Sequence, residues 1–365
     1  MKNLFVAHTP YHIILSTGIA STTAKNDTNV LIIFRDFDLN FIDIENLYSS
    51  FQEVIILKGN FDFNFDNNNI FSKIKMFLEN KNMINKLKKV IEIYKFEYLY
   101  LFNNNKILDK KIIQLTSINK IRKIIYVEDG SASYSSSFFE YSIGDIIKLK
   151  LKNLIYNLRE YGDIVRVLGE VYYIHSRMFL FPELVRSELK KGTIKEIRSE
   201  QLRNGILKTF GKHMNNIPKI SDSAIIFLEH YEFVKSLEDK YISMVKDIIE
   251  ICNNLNKKVY IKYHPRETNY YLSNILSEFN NLHFIEKGIP SEAILLNIKK
   301  KSVIISTIST SLITASKLSK NSLKISLLDF LKVNDNNLKL SYEKLGIKLP
   351  RNNKEMEEIL KRFWN

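Results

Sequence analysis

Short runs of β-branched and aromatic residues recur along the chain, and between them apolar positions return at helical spacing. Residues 4–7, 30–34, 54–57, 98–102 and 123–127 read as strands, and 11–19, 71–94 and 110–118 as the helices that follow them. Residues 59–69, rich in Asn and Asp, read as a loop. From Gly130 to about residue 211 the pattern is helical and irregular. Alternation restarts near Asn215-Asn216-Ile217-Pro218. Strands are expected at 224–228, 259–263, 282–285, 302–305 and 323–327, and helices at 235–255, 291–298, 312–318 and 354–364. Strands alternating with helices predict parallel sheets covered on both faces. The expected architecture is therefore two Rossmann-like α/β domains, residues 1–215 and 216–365, facing a central cleft in which a ligand would sit.

Composition narrows the class. With 45% hydrophobic and 26% charged residues among 365, the chain reads as an ordinary globular protein long enough for two cores. A single cysteine, Cys252, excludes an internal disulfide and a cysteine-rich metal site. No apolar run approaches the roughly 20 residues of a membrane span, and the apolar start is broken by His8, Pro10 and His12, so it reads as a first core strand rather than a leader. A cytoplasmic location is expected. The net charge is +14, and residues 73–123 carry 13 Lys and Arg against 4 Asp and Glu. Such a face could meet an anionic membrane surface or a phosphorylated glycan, or be simply a solvated lysine face. No nucleic-acid-binding signature accompanies it, so nucleic acid is set aside.

Three short motifs stand at predicted strand ends. Glu128-Asp129-Gly130 follows the strand 123–127; a carboxylate there could accept a proton from a sugar hydroxyl, although Asp and Gly are also ordinary turn residues. His264-Pro265 closes the strand 259–263, because proline cannot continue a central strand; Lys262 and Arg266 flank it and suit an anionic ligand. Ser306-Thr307-Ile308-Ser309-Thr310-Ser311 precedes a helix. One Ser or Thr would suffice as a cap, and five hydroxyls with free helix amides suggest a phosphate site. Between the last two, Glu292 opens a helix and could accept from ribose hydroxyls.

In this order the three motifs resemble those of bacterial sialyltransferases, most of all the lipooligosaccharide enzymes of glycosyltransferase family 52, with Glu128-Asp129-Gly130, His264-Pro265 and Thr310-Ser311 in the motif positions. The opening Phe5-Val6-Ala7-His8-Thr9-Pro10 is also similar to that family's start. The resemblance implies a GT-B fold and inverting transfer of sialic acid from CMP-sialic acid to a galactose-terminated glycan, with no metal or other cofactor. It implies Glu128 as general base supported by Asp129, and His264 binding or protonating the departing phosphate. It further implies Ser309, Thr310 and Ser311 around that phosphate, and Lys262, Pro265 and Glu292 on the donor side. His8 and His12, at the first strand end, would line the acceptor side. A homodimer is compatible with the family. Glu229, Glu232 and Asp239, after the first strand of the second domain, are alternative carboxylates for the base.

Competing readings are few. Asp36-Phe37-Asp38 has the form of a metal-binding pair in other sugar transferases, but such a pair also arises by chance in a polar loop. The absence of a Gly-x-Gly-x-x-Gly, a P-loop or a Gly-x-Ser-x-Gly elbow removes dinucleotide, NTPase and serine-hydrolase readings. A hexosyltransferase using a UDP-sugar on the same fold, and a non-catalytic basic module that binds glycan or lipid through residues 73–123, remain as alternatives.

Overall fold

The computed structural model describes residues 1–35, 37–58, 70–268, 272, 279, 281–299 and 301–365. The chain divides into two compact units. Unit 1 comprises Met1–Ser133 and Ser137–Gly211, and unit 2 comprises Lys212–Asn365 together with the short segment Tyr134–Ser136. The loop 59–69 and Asp36 lie outside the described residues.

Unit 1 is built on seven parallel strands: β1 (Lys2–Ala7), β2 (Thr28–Arg35), β3 (Glu53–Lys58), β4 (Tyr98–Leu101), β5 (Lys123–Val127), β6 (Ser176–Phe179) and β7 (Thr193–Glu196), in the order β3-β2-β1-β4-β5-β6-β7. β1 and β2 are near-continuous apolar runs and are buried, as central parallel strands must be. Helices α1 (Pro10–Ser21), α2 (Ile70–Tyr94), α3 (Ile107–Ile118), α4 (Ile143–Ile155) and α5 (Ser199–Phe210) surround the sheet. The sequence pattern misses β6 and β7. Each has four residues, β6 carries Arg177 and β7 reads Thr-Ile-Lys-Glu at the sheet edge, so neither shows an apolar run. Arg177 is buried because its guanidinium donates to the carbonyls of Gly169 and Lys191.

α1 is buried over most of its circumference because α5 closes on its outer face. The approach needs glycine on both helices. A Cβ on Gly18 would lie 2.1 Å from the Gln201 carbonyl oxygen, and one on Gly205 would lie 2.1 Å from that of Ile14.

Unit 2 repeats the plan with five parallel strands: β8 (Ser223–Phe227), β9 (Lys258–Lys262), β10 (Leu282–Ile285), β11 (Val303–Ser306) and β12 (Leu323–Ser326), in the order β10-β9-β8-β11-β12. Helix α6 (Glu238–Asn254) buries Tyr241, Met244, Val245, Ile248, Ile249 and Cys252, one apolar stripe at helical spacing. Helices α7 (Ser291–Leu296), α8 (Thr310–Leu318), α9 (Asn336–Lys344) and α10 (Asn353–Trp364) complete the unit. α10 docks through Met356, Leu360 and Trp364. α9, which the sequence pattern also misses, is capped by Asp335, whose Oδ1 accepts from the Leu338 amide.

In both sheets the strand order reverses once, between β1 and β4 in unit 1 and between β8 and β11 in unit 2. Ligands of open α/β sheets bind at the carboxyl ends of strands beside such a reversal.

Candidate active site

In unit 1 the carboxyl ends of β1 and β5 hold a set of paired titratable groups. Thr9 caps α1 by accepting from the His12 amide, and this sets the first turn so that His8, Tyr11 and His12 face inward. Tyr11 Oη donates to Glu128 Oε1 at 2.6 Å, and the Leu180 amide donates to Glu128 Oε2 at 2.7 Å. Glu128 is 0% exposed. Both oxygens are thus engaged in tying β5 to α1 and to the residue after β6. Asp129 differs: its side chain is 26% exposed, and Oδ1 lies 2.6 Å from His12 Nε2.

The tautomer of His12 follows from its other nitrogen. Nδ1 accepts from the His8 amide at 3.1 Å, so the ring proton sits on Nε2 and is donated to Asp129. Burial of the ring holds the His12 pKa below its ordinary value, so it is a neutral donor. His8 stacks on Phe34 and pairs with Asp109 Oδ1 at 2.9 Å; His12 stacks on Phe102. Tyr11 and Asp109 carry no sequence signal that would have joined them to this cluster, since their partners stand 117 and 101 residues away.

In unit 2 three neighbouring strand ends bring chemistry together. After β9, His264 Nδ1 accepts from the Arg266 amide at 3.2 Å, which leaves the ring proton on Nε2. Partial burial, and then the nearby His230, Lys262 and Arg266, push the His264 pKa down to about 4. The His230 ring stands edge-on to it at 5.3 Å. Pro265 is exposed, and Glu267 behind it is buried, fastening the loop by accepting from the amides of Tyr231 and Thr268.

Lys262 is 3% exposed; Nζ donates to the carbonyls of Tyr263 and Lys287. Burial lowers its pKa to about 8, and the equally buried Glu292, on α7, acts in the opposite direction. Burial also raises the pKa of Glu292. These two residues therefore face each other's charge beneath the surface.

After β11, Ser309 caps α8, its hydroxyl accepting from the Ser311 amide, and its own amide donates to the Tyr342 hydroxyl. Immediately before it, the amides of Thr307 and Ile308 both donate to Glu229 Oε1, at 3.1 and 3.2 Å. Glu229 follows β8, the strand between β9 and β11. Burial pushes its pKa up to about 7 despite those bonds. Glu232 is exposed and pairs with Lys235, and Asp239 lies in the first turn of α6. Only Glu229 of the three alternative carboxylates sits at the strand ends. Since β9 and β11 flank a single strand, the His264 and Ser309 loops start about 10 Å apart.

A family model described as alpha-2,8-polysialyltransferase (POLYST) matches residues 3–328, which contain all three motifs. The chain belongs to the alpha-2,8-polysialyltransferase family. This makes it a sialyltransferase-type glycosyltransferase. No curated protein matches it in sequence. In solved structures it resembles the UDP-GlcNAc 2-epimerase of Methanocaldococcus jannaschii (TM-score 0.59, 16% identity, 100% of this chain and 93% of that one). It also resembles the Neisseria meningitidis UDP-GlcNAc 2-epimerase (0.54, 15%, 100% and 93%) and UGT89C1 of Arabidopsis thaliana (0.54, 10%, 99% and 90%). At these identities the likeness establishes the fold, which is GT-B-like. The match bears out the sialyltransferase resemblance of the motifs at the level of this family and does not extend to the lipooligosaccharide type.

Proposed function

We propose that this member of the alpha-2,8-polysialyltransferase family transfers sialic acid from CMP-sialic acid to a hydroxyl of a surface glycan, with inversion and without a metal, in the cytoplasm. The observation that supports this best is that the matched span contains the acid-acid-Gly, His-Pro and Ser/Thr motifs, each at the carboxyl end of a parallel strand. The acceptor oxygen bonds to the anomeric carbon and gives its proton to a carboxylate, while the bond from that carbon to the phosphate oxygen breaks and its electron pair leaves with CMP.

On unit 1, the Glu128–Asp129 pair supplies the carboxylate. Asp129 takes the proton, because it has an open edge and a neutral His12 holding its other side, whereas Glu128 anchors the loop. On unit 2, the His264 Nε2–H donates to the leaving phosphate, which Ser309, Thr310 and Ser311 receive with the α8 amides. Lys262, Pro265 and Glu292 shape the nucleoside side. The family description names an α2,8 linkage, which favours a sialic-acid terminus as acceptor over the galactoside expected from the motifs.

The test is CMP release from CMP-sialic acid with no acceptor, with a sialylated oligosaccharide and with lactose, for wild type and His264→Ala, with and without EDTA. Release that rises with acceptor, depends on His264 and ignores EDTA is expected. No release, with thermal stabilisation by UDP rather than CMP, would transfer the assignment to a hexosyltransferase.

A further inference from the structure

α4 is amphipathic in the wrong sense for a helix that serves the core. It begins with a capping box, Ser142 and Asp145 bonding reciprocally, and not one of its thirteen residues is buried. Ile143, Ile147, Leu151, Leu154 and Ile155 are 48–80% exposed. At 100° per residue the first four fall within one 80° arc and Ile155 lies 40° beyond it, forming a stripe about 16 Å long that faces outward. Lys150 borders one side of the stripe and Lys148 the other, while Asp145 lies on the opposite face in the cap. The preceding loop adds two exposed aromatic rings, Phe138 and Phe139. On α2, Ile74 and Leu78 are likewise exposed one turn apart, and Phe77 of that helix packs against Tyr156, the residue that caps α4.

From this arrangement we infer that α4 is an in-plane anchor for an anionic lipid membrane, entering the headgroup boundary on its Ile143–Ile147–Leu151–Leu154 stripe with lysines at the phosphate level. An outward apolar stripe edged by lysines is the pattern that binds such a surface. The chain's net charge of +14 gives long-range attraction of the same sign. A second copy of the chain fits less well, because two such stripes laid together set lysine against lysine. No helix among the described residues is long and apolar enough to cross a membrane, so the contact is peripheral.

The test is co-sedimentation of the full chain with vesicles of phosphatidylglycerol mixed into phosphatidylcholine, and with vesicles of phosphatidylcholine alone. Wild type is expected to bind the anionic vesicles preferentially. Ile147→Glu/Leu154→Glu and, separately, Lys148→Gln/Lys150→Gln should each weaken binding about tenfold or more. Both variants change only exposed side chains, and an unchanged circular dichroism spectrum and CMP release on a free acceptor show that the fold persists. Absence of wild-type binding, or variants that bind as tightly as wild type, would overturn the inference. So would a wild-type dimer that binds no vesicle and that the same substitutions dissociate.

Discussion

Replacing Glu229 with glutamine tests the electrostatics of unit 2 most directly. The carboxyl group accepts from the Thr307 and Ile308 amides, and burial raises its pKa from 4.5 to about 7. An acid whose folded pKa is raised contributes stability that is full below its unfolded pKa and is lost as pH climbs through the folded one. With 4.5 and about 7 as the two values, its ionisation costs about 1.4 kcal/mol at about pH 5.5 and about 3.3 kcal/mol at about pH 8. Glutamine keeps an oxygen for the two amides and cannot ionise. The gap between Glu229→Gln and wild type should therefore shift by about 2 kcal/mol in favour of the variant between those pH values, about thirtyfold in the unfolding equilibrium. Any constant difference between amide and carboxyl cancels in that comparison, as do titrations elsewhere, including that of His264, which acts in the opposite direction. Urea unfolding of both proteins at the two pH values, followed by a probe in unit 2, reads the shift. Parallel stability curves would show that the Glu229 carboxyl ionises freely and that the amides after β11 do not hold a proton-sensitive group.

Three further outcomes can be checked. Asp129→Asn should abolish acceptor-dependent CMP release while leaving the thermal midpoint nearly unchanged, whereas Glu128→Gln should lower the midpoint by unfastening Tyr11 and Leu180; equal loss of activity in two equally stable variants would give the proton to Glu128 instead. Calorimetric titration of CMP near pH 6, in two buffers of different ionisation enthalpy, should register proton uptake that disappears in His264→Asn, because a phosphate anion raises an imidazole pKa that starts at about 4; identical uptake in both proteins would remove His264 from the phosphate. Gly18→Ala or Gly205→Ala should destabilise unit 1 by about 2–3 kcal/mol, since the clash is with backbone that cannot turn aside, and a change below 0.5 kcal/mol would mean that α1 and α5 can separate without cost.

What was legible in the sequence is what local pattern encodes. β1, β2, β8 and β11 announce themselves as uninterrupted apolar runs, and His264, halted by Pro265, could be placed at a strand end before any coordinates. What stayed hidden depends on partners far along the chain. β6 is polar in sequence because Arg177 is satisfied by carbonyls 8 and 14 residues away. α9 starts with Asn-Asn after an aspartate, which reads as a loop until Asp335 is seen capping it. Lys262 and Glu292 look like surface residues and are buried, since each partly compensates the other's charge. Glu229 could be named as a carboxylate after a strand, but nothing near it in sequence says that the amides it meets lie 78 and 79 residues later. The outward stripe of α4 has the same spacing as an inward one, and periodicity alone carries no sign.

The two units share a device that bears on the chemistry. In each, a histidine is held by a backbone amide at Nδ1, that of His8 for His12 and that of Arg266 for His264, so that Nε2 carries the proton. Burial keeps both rings neutral in the free protein. A neutral ring with a fixed tautomer is a hydrogen-bond donor that needs no net charge in a poorly solvated site, and its two nitrogens cannot exchange roles without breaking an amide bond. The difference lies in what Nε2 meets. For His12 it is Asp129, 2.6 Å away, so the donor's work is to hold a carboxylate in place with one edge left for another proton. For His264 the charged and polar neighbours are His230, Lys262 and Arg266, together with one acid, Glu267, whose carboxylate accepts from the Tyr231 and Thr268 amides. On the reaction proposed above, the same fixed imidazole would hold a proton acceptor on one unit and receive an anion on the other.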